Sequence, residues 1–402
     1  MDTSSLLGRH RASVAVAFAA FALLGLNDGA FGVLLPSLMA HYGIGRSTAG
    51  LLFLALNAGY LPCVALSGVM YERLGRRTLQ GLGALIFTVA AASCASMPPF
   101  APLLVAYAGL GFGIGIFDAG LNAYIAGLAG STGLMNDLHA CYGAGALFGP
   151  AVASATIASG LCWNVTYVCW AGAGALVLAG FAGSFDRAER ARHDIPSAGQ
   201  SAVRLGALRS RIAWLTALVL LVCVGTEGSL GTWSFSLLRQ NDGIGVVAAG
   251  WMVSGYWAGL TLGRMIFGRL AARYSGHNLA LACFPGVMAG VGLLWAAPNA
   301  PAAALGLLLA GFSLGPIFPT TIAGLSNRIA PRLQASAIGF AVSLGSIGAT
   351  TLPWLAGDLT QRVGLWALMP FALTLTVITF ALWVQLSRSD GSRPTSGPFQ
   401  LT

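Results

Sequence analysis

Apolar residues run along this chain in twelve long stretches separated by short polar clusters. A run of about 20 apolar residues spans the hydrocarbon core as a helix. The pattern predicts spans over residues 14–38, 47–69, 78–97, 101–127, 138–158, 161–184, 212–238, 244–266, 278–297, 302–326, 333–357 and 363–386. One long polar stretch, "DRAERARHDIPSAGQSAVRLGALRSR" from Asp186 to Arg211, divides six spans from six. This predicts an N-terminal bundle over 1–185, a cytoplasmic linker over 186–211, a C-terminal bundle over 212–386 and a disordered tail over 387–402.

Polar residues inside the spans are the exception to this pattern. "FALLGLNDGAFGVLLPSLM" places Asn27 and Asp28 in the middle of the first span. A carboxylate there costs about 2.5–3.5 kcal/mol on insertion scales, so it marks a functional site by default. Asp118 and Glu227 are two further central carboxylates. The chain has no Lys and no Arg near the middle of any predicted span, so ion pairing is not expected for the three acids. Each is therefore either a proton-exchanging group in a water-filled cavity or a protonated acid bonded to a neighbour such as Asn27 or Asn122. Asn122 stands four residues after Asp118, on the same helix face. Asn57, Tyr60, His139, Tyr142, Trp233, Tyr256 and Trp257 add hydrogen-bonding and aromatic groups suited to a hydroxylated substrate. For any single Trp or Tyr, interface anchoring or core packing is the commoner role, and His139 also fits a cap or a gate.

Composition settles the class. Of 402 residues 56% are hydrophobic and only 8% charged, whereas soluble domains carry roughly 25% charged residues. The net charge of +9 does not point to nucleic acid, because the 21 basic residues are all Arg and are scattered. They read instead as topology signals. With a cytoplasmic N terminus 18 of them fall inside, leaving Arg46, Arg239 and Arg362 outside, and both termini are expected in the cytoplasm. The seven cysteines lie in apolar segments without CxxC spacing, so neither a metal site nor a disulfide framework is expected. Arg9, His10 and Arg11 ahead of an apolar run suggest a signal peptide, but the run continues to Met39, too long for a signal core.

The halves repeat at an offset near 200 residues. "DGAFG" from Asp28 faces "EGSLG" from Glu227, "GVMYERLG" from Gly68 faces "GRLAARYS" from Gly268, and "GFGIGIF" from Gly111 faces "GFSLGPIF" from Gly311. Two six-helix bundles repeated in the same orientation imply a pseudo-two-fold axis along the membrane normal.

The stretch "GVMYERLGRR" resembles the signature loop of the major facilitator superfamily. The resemblance implies an all-α integral membrane protein of twelve helices. It makes Gly68, Glu72, Arg73, Gly75, Arg76 and Arg77 a gating loop that bridges helix ends without touching substrate. On physics alone these arginines also read as topology anchors. A narrower resemblance is to the fucose permease-like sugar:proton symporters. "FDAGLNAY", "NDLHACYGAGALFGP", "VGTEGSLGTW", "LGRMIFGRL" and "GFSLGPIFPT" carry it, and it implies substrate or proton handling at Asp118. "GALFGP" from Gly145 to Pro150 holds half of a drug:proton antiporter pattern, with Asn136 where that pattern expects Gly.

No phosphate loop, metal-ligand cluster or Ser-His-Asp order supports an enzyme. The expectation is a proton-coupled symporter of a small neutral polar solute such as a monosaccharide, with Asp118, Asp28 and Glu227 coupling protons. It is expected to act without cofactor or metal, as a monomer in the plasma membrane, in a bacterial cell the inner membrane. An exporter of drugs or metabolites is the alternative within transport; a non-transporting sensor or scaffold is the alternative outside it.

Overall fold

A backbone in hydrocarbon finds no water to satisfy its N–H and C=O groups, so a membrane-spanning apolar run closes its hydrogen bonds within itself as a helix. The computed structural model describes residues 3–128, 131–185, 210–270, 273–274 and 276–388, and no strand occurs among them. The helices are α1 (Thr3–Tyr42), α2 (Leu51–Leu74, led in by a turn at Arg46–Ala49), α3 (Arg76–Ala95), α4 (Phe100–Ala126), α5 (Ser131–Ala158) and α6 (Asn164–Ser184). They continue as α7 (Arg211–Gln240), α8 (Val246–Leu270), α9 (Gly276–Trp295), α10 (Ala300–Leu314 and Ile317–Arg328), α11 (Pro331–Val363) and α12 (Leu368–Arg388). Eleven of these spans are long and apolar enough to cross a membrane; α8, with 25 residues, is long enough as well. Large apolar side chains such as Val105 (73% exposed) and Leu176 (76%) stand on outer faces, as lipid contact requires.

The observed helices match the predicted spans in order. Two differences matter. The tenth span is broken at Gly315 and Pro316, where proline removes an N–H from the ladder. The eighth runs on to Leu270, which moves Arg264 from its expected place at a helix end to a position six residues inside one. The expected linker and tail lie outside the described residues except for 210–211 and 387–388.

The chain divides into two compact units, residues 1–193 with 245–254, and residues 194–244 with 255–402. In the first, α1 packs on α5 and α6, α2 and α3 pack on α4, and α3 packs on α6. In the second, α7 packs on α11 and α12, and α9 packs on α10 and α12. The α2–α4 contact has its counterpart in α8–α10, residue for residue. A Cβ on Gly59 would lie 1.9 Å from the Ala108 carbonyl oxygen, and one on Gly259 2.3 Å from that of Leu308. A Cβ on Gly111 would lie 1.8 Å from the Leu56 oxygen, and one on Gly311 2.1 Å from that of Tyr256. Every partner is displaced by 200 positions, so the repeat seen in the sequence is a repeat of backbone-to-backbone packing. Apolar side chains gain little by meeting one another in lipid, and glycine lets the helices approach closely enough for dispersion to hold them.

Candidate functional site

The α2–α3 turn rests on Gly75, whose φ of 74° suits a residue without Cβ, and its N–H donates to the Tyr71 carbonyl at 2.9 Å. This geometry throws Arg76 and Arg77 back over the bundle. Arg76 Nε donates to the Tyr71 hydroxyl at 3.1 Å and its guanidinium lies 4.6 Å from the Tyr124 ring centre, at the end of α4. Arg77 donates to the Ala182 carbonyl at the end of α6. Within the first unit these two arginines tie three helix ends together, while Glu72 and Arg73 are exposed.

The first unit gathers six of the residues singled out in the sequence. On α4, Asp118 sits in a cradle of two donors: the Tyr60 hydroxyl of α2 reaches Oδ2 at 2.6 Å and Asn122 Nδ2 reaches Oδ1 at 2.9 Å. Asn122 also donates to the Asp118 carbonyl at 2.8 Å, as a side chain one turn further along the helix can. On α1, Asp28 accepts from the Tyr142 hydroxyl of α5 at 3.0 Å and from the adjacent Asn27 amide at 3.4 Å. Gly25 and Gly29 let α5 come this close, since a Cβ on either would lie 2.0 or 2.3 Å from the Tyr142 or Ala146 oxygen. The donors to both acids are neutral hydroxyls and amides. Asn57 turns away from this set and donates to its own helix at the Phe53 carbonyl, 3.2 Å. His139 lies exposed on α5, edge-on to Phe21 at 5.6 Å.

The second unit corrects one expectation. Glu227 has a cation partner: Arg264 Nη2 lies 3.2 Å from both of its carboxylate oxygens. The pair forms because α8 continues past Arg264, so the guanidinium reaches back across α7 instead of snorkelling to the surface. The repeat held the missed signal. An offset of 200 places Arg264 on Val64, in the body of α2, so its depth was readable even though the apolar run seemed to end there. Tyr256 donates to the Glu227 carbonyl at 2.9 Å and is fully buried. Trp257 closes over Gly231 of α7, where a Cβ would meet its ring at 2.8 Å. Trp233 is also fully buried and spends its N–H on the Pro353 carbonyl at 2.8 Å, which makes it a packing residue between α7 and α11.

The family model of the Major Facilitator Superfamily matches residues 17–353 and 242–399. The chain belongs to the major facilitator superfamily. It is a multi-pass membrane transporter that takes a small-molecule substrate within the bilayer. Bypass of stop codon protein 6 of Saccharomyces cerevisiae is 26% identical over 400 residues, covering 90% of this chain and 79% of the yeast protein. The crystal structure of the nucleoside transporter NupG (D323A mutant) superposes with a TM-score of 0.79 at 12% identity, over 93% of this chain and 98% of that one. FucP, a superfamily transporter captured in its outward conformation, does so with a TM-score of 0.64 at 17% identity, over 95% and 99%. At these identities the two structures bear on the fold alone, and the resemblance to fucose permease-like symporters is carried by the motifs.

Proposed function

We propose that this transporter couples uptake of a small hydroxylated solute, of the monosaccharide class, to protons through Asp118. The observation that carries the reading is the Tyr60–Asp118–Asn122 cradle. A carboxylate held by two neutral donors gains a proton without leaving an unpaired cation behind. Protonation also forces rearrangement, because a carboxylic acid must donate where the carboxylate only accepted. Tyr60 and Asn122 are then released toward a solute hydroxyl, which links proton occupancy to substrate affinity. Asp28 with Tyr142 and Asn27 forms a second such site in the same unit. Glu227, paired with Arg264, stands apart from these two as an ion-paired acid. We further place the loops rich in Arg in the cytoplasm; with Arg264 assigned to the membrane the asymmetry stands at 17 to 3.

The test is uptake of labelled neutral hexoses and hexonates into proteoliposomes with and without an imposed pH gradient, acid outside. At one proton per solute, each pH unit supports roughly tenfold accumulation. Accumulation that collapses when the gradient is dissipated is expected. Equilibration of every solute without concentration, or accumulation driven by the opposite gradient, contradicts symport and favours a facilitator or an exporter.

A further inference from the structure

Glu227 and Arg264 form an incomplete pair. Both carboxylate oxygens share one guanidinium nitrogen, Nη2, at 3.2 Å, and Nε reaches the Gly315 carbonyl at 3.4 Å. A fork-to-fork arrangement uses two nitrogens at about 2.7–2.9 Å. Nη1, with two N–H groups, has no partner among the described residues. The Arg264 side chain also keeps 37% of its exposure, against 13% for Glu227. A guanidinium cannot shed its charge by deprotonation, so within a span its donors need acceptors. The described residues of the second unit supply fewer than Arg264 can use.

The neighbouring wall has the same character. Four residues along α7 from Glu227, about one turn or 6 Å, Gly231 seats the Trp257 ring. Trp257 is 9% exposed and its Nε1 has no acceptor among the described residues. Unused donors thus line this stretch of α8, and the Glu227 carboxylate is held by a single nitrogen at 3.2 Å.

We propose that the Nη1 edge of Arg264 is a subsite for a carboxylate of the substrate, beside Glu227, which occupies Nη2 alone. A planar edge with two parallel N–H groups matches a carboxylate better than a single hydroxyl. This inference rests on the symport reading and narrows its solute to a hydroxylated acid, such as a hexonate or hexuronate. Charge balances: one solute anion carried with one proton moves no net charge across the membrane.

Binding to the purified full chain, followed by calorimetric titration with D-gluconate, D-galactonate, D-glucuronate and D-glucose, tests it. The parent is expected to bind at least one acid about tenfold more tightly than glucose, the worth of one charge-assisted hydrogen bond. Arg264→Gln should abolish that preference. Glu227→Gln should strengthen it, because a negative charge beside the subsite is gone. The two single variants therefore move acid binding in opposite directions, whereas a merely structural pair loses binding with either one. The double variant leaves no lone buried charge and separates misfolding from loss of the subsite: it should stay folded and show no acid preference. Equal losses in both single variants, or an undiminished preference in Arg264→Gln, overturn the proposal. If the parent prefers no acid while glucose still accumulates on a proton gradient, the subsite falls and the symport reading stands. If no solute accumulates, both fall.

Discussion

The two units of this transporter share their packing and differ in their charge chemistry. Gly59 and Gly111 set α2 against α4 by the same backbone contacts with which Gly259 and Gly311 set α8 against α10. Asp28 and Asp118 in the first unit are held by tyrosine hydroxyls and amides, while Glu227 in the second is held by a guanidinium. Packing in lipid demands small residues at fixed positions and tolerates little drift. Polar groups away from these contacts are under no such constraint, so each half is free to carry different chemistry on one scaffold. The acids of the first unit thus sit among neutral donors, and that of the second beside a cation.

The comparison breaks most visibly through stability. Arg264→Gln strands Glu227 without a counter-charge and should cost about 2 kcal/mol, less than the roughly 3–5 of a fully buried pair because the guanidinium is partly exposed. Asp118→Asn, which keeps an isosteric group among neutral donors, should cost under about 1 kcal/mol. Melting temperatures in detergent read the difference, and equal shifts would erase the distinction between the units. The shared packing predicts the opposite pattern, with matched losses. Gly111→Ala and Gly311→Ala each push a methyl into a facing backbone oxygen and should each lower stability by about 1–3 kcal/mol, within error of one another. A smaller effect is expected at the α2–α3 turn, where Arg77→Ala loses one hydrogen bond to the Ala182 carbonyl, about 1 kcal/mol. Exposed Arg73 should leave stability and equilibrium binding unchanged when replaced by Ala, while transport slows if it gates one carrier state. Smallest of all should be the effect of single cysteines placed between Asp186 and Arg211, which are expected to label from the cytoplasmic side without loss of activity. Labelling from the opposite side would invert the topology.

Much of this fold was legible in the sequence because the bilayer imposes few solutions. Uninterrupted apolar runs must be helices, and the matched glycine motifs at Gly111 and Gly311 are the packing repeat itself. The first unit's site was legible in part: Asp118 and Asn122 share a face by spacing alone, but nothing in the chain order says that Tyr60 and Tyr142 close on the two acids across helix interfaces. Arg264 was misplaced because a charge at the edge of an apolar run reads as the end of a span. The repeat, which sets Arg264 on Val64 in the body of α2, held the contrary signal, and the pairing with Glu227 agrees with it. For Trp233 the sequence left two roles open, a substrate platform and core packing. Its composition suits a sugar platform, and its burial against Pro353 is a tertiary fact.

The central claim is that Asp118 couples the proton, and gradient-driven accumulation by Asp118→Asn proteoliposomes tests it most directly. The variant keeps the shape of the cradle between Tyr60 and Asn122 but cannot titrate. It should exchange labelled for unlabelled solute across the membrane near the parent rate, fail to concentrate solute on an imposed pH gradient, and bind solute with an affinity that no longer varies with pH. Full gradient-driven accumulation by Asp118→Asn would contradict the account and move coupling elsewhere.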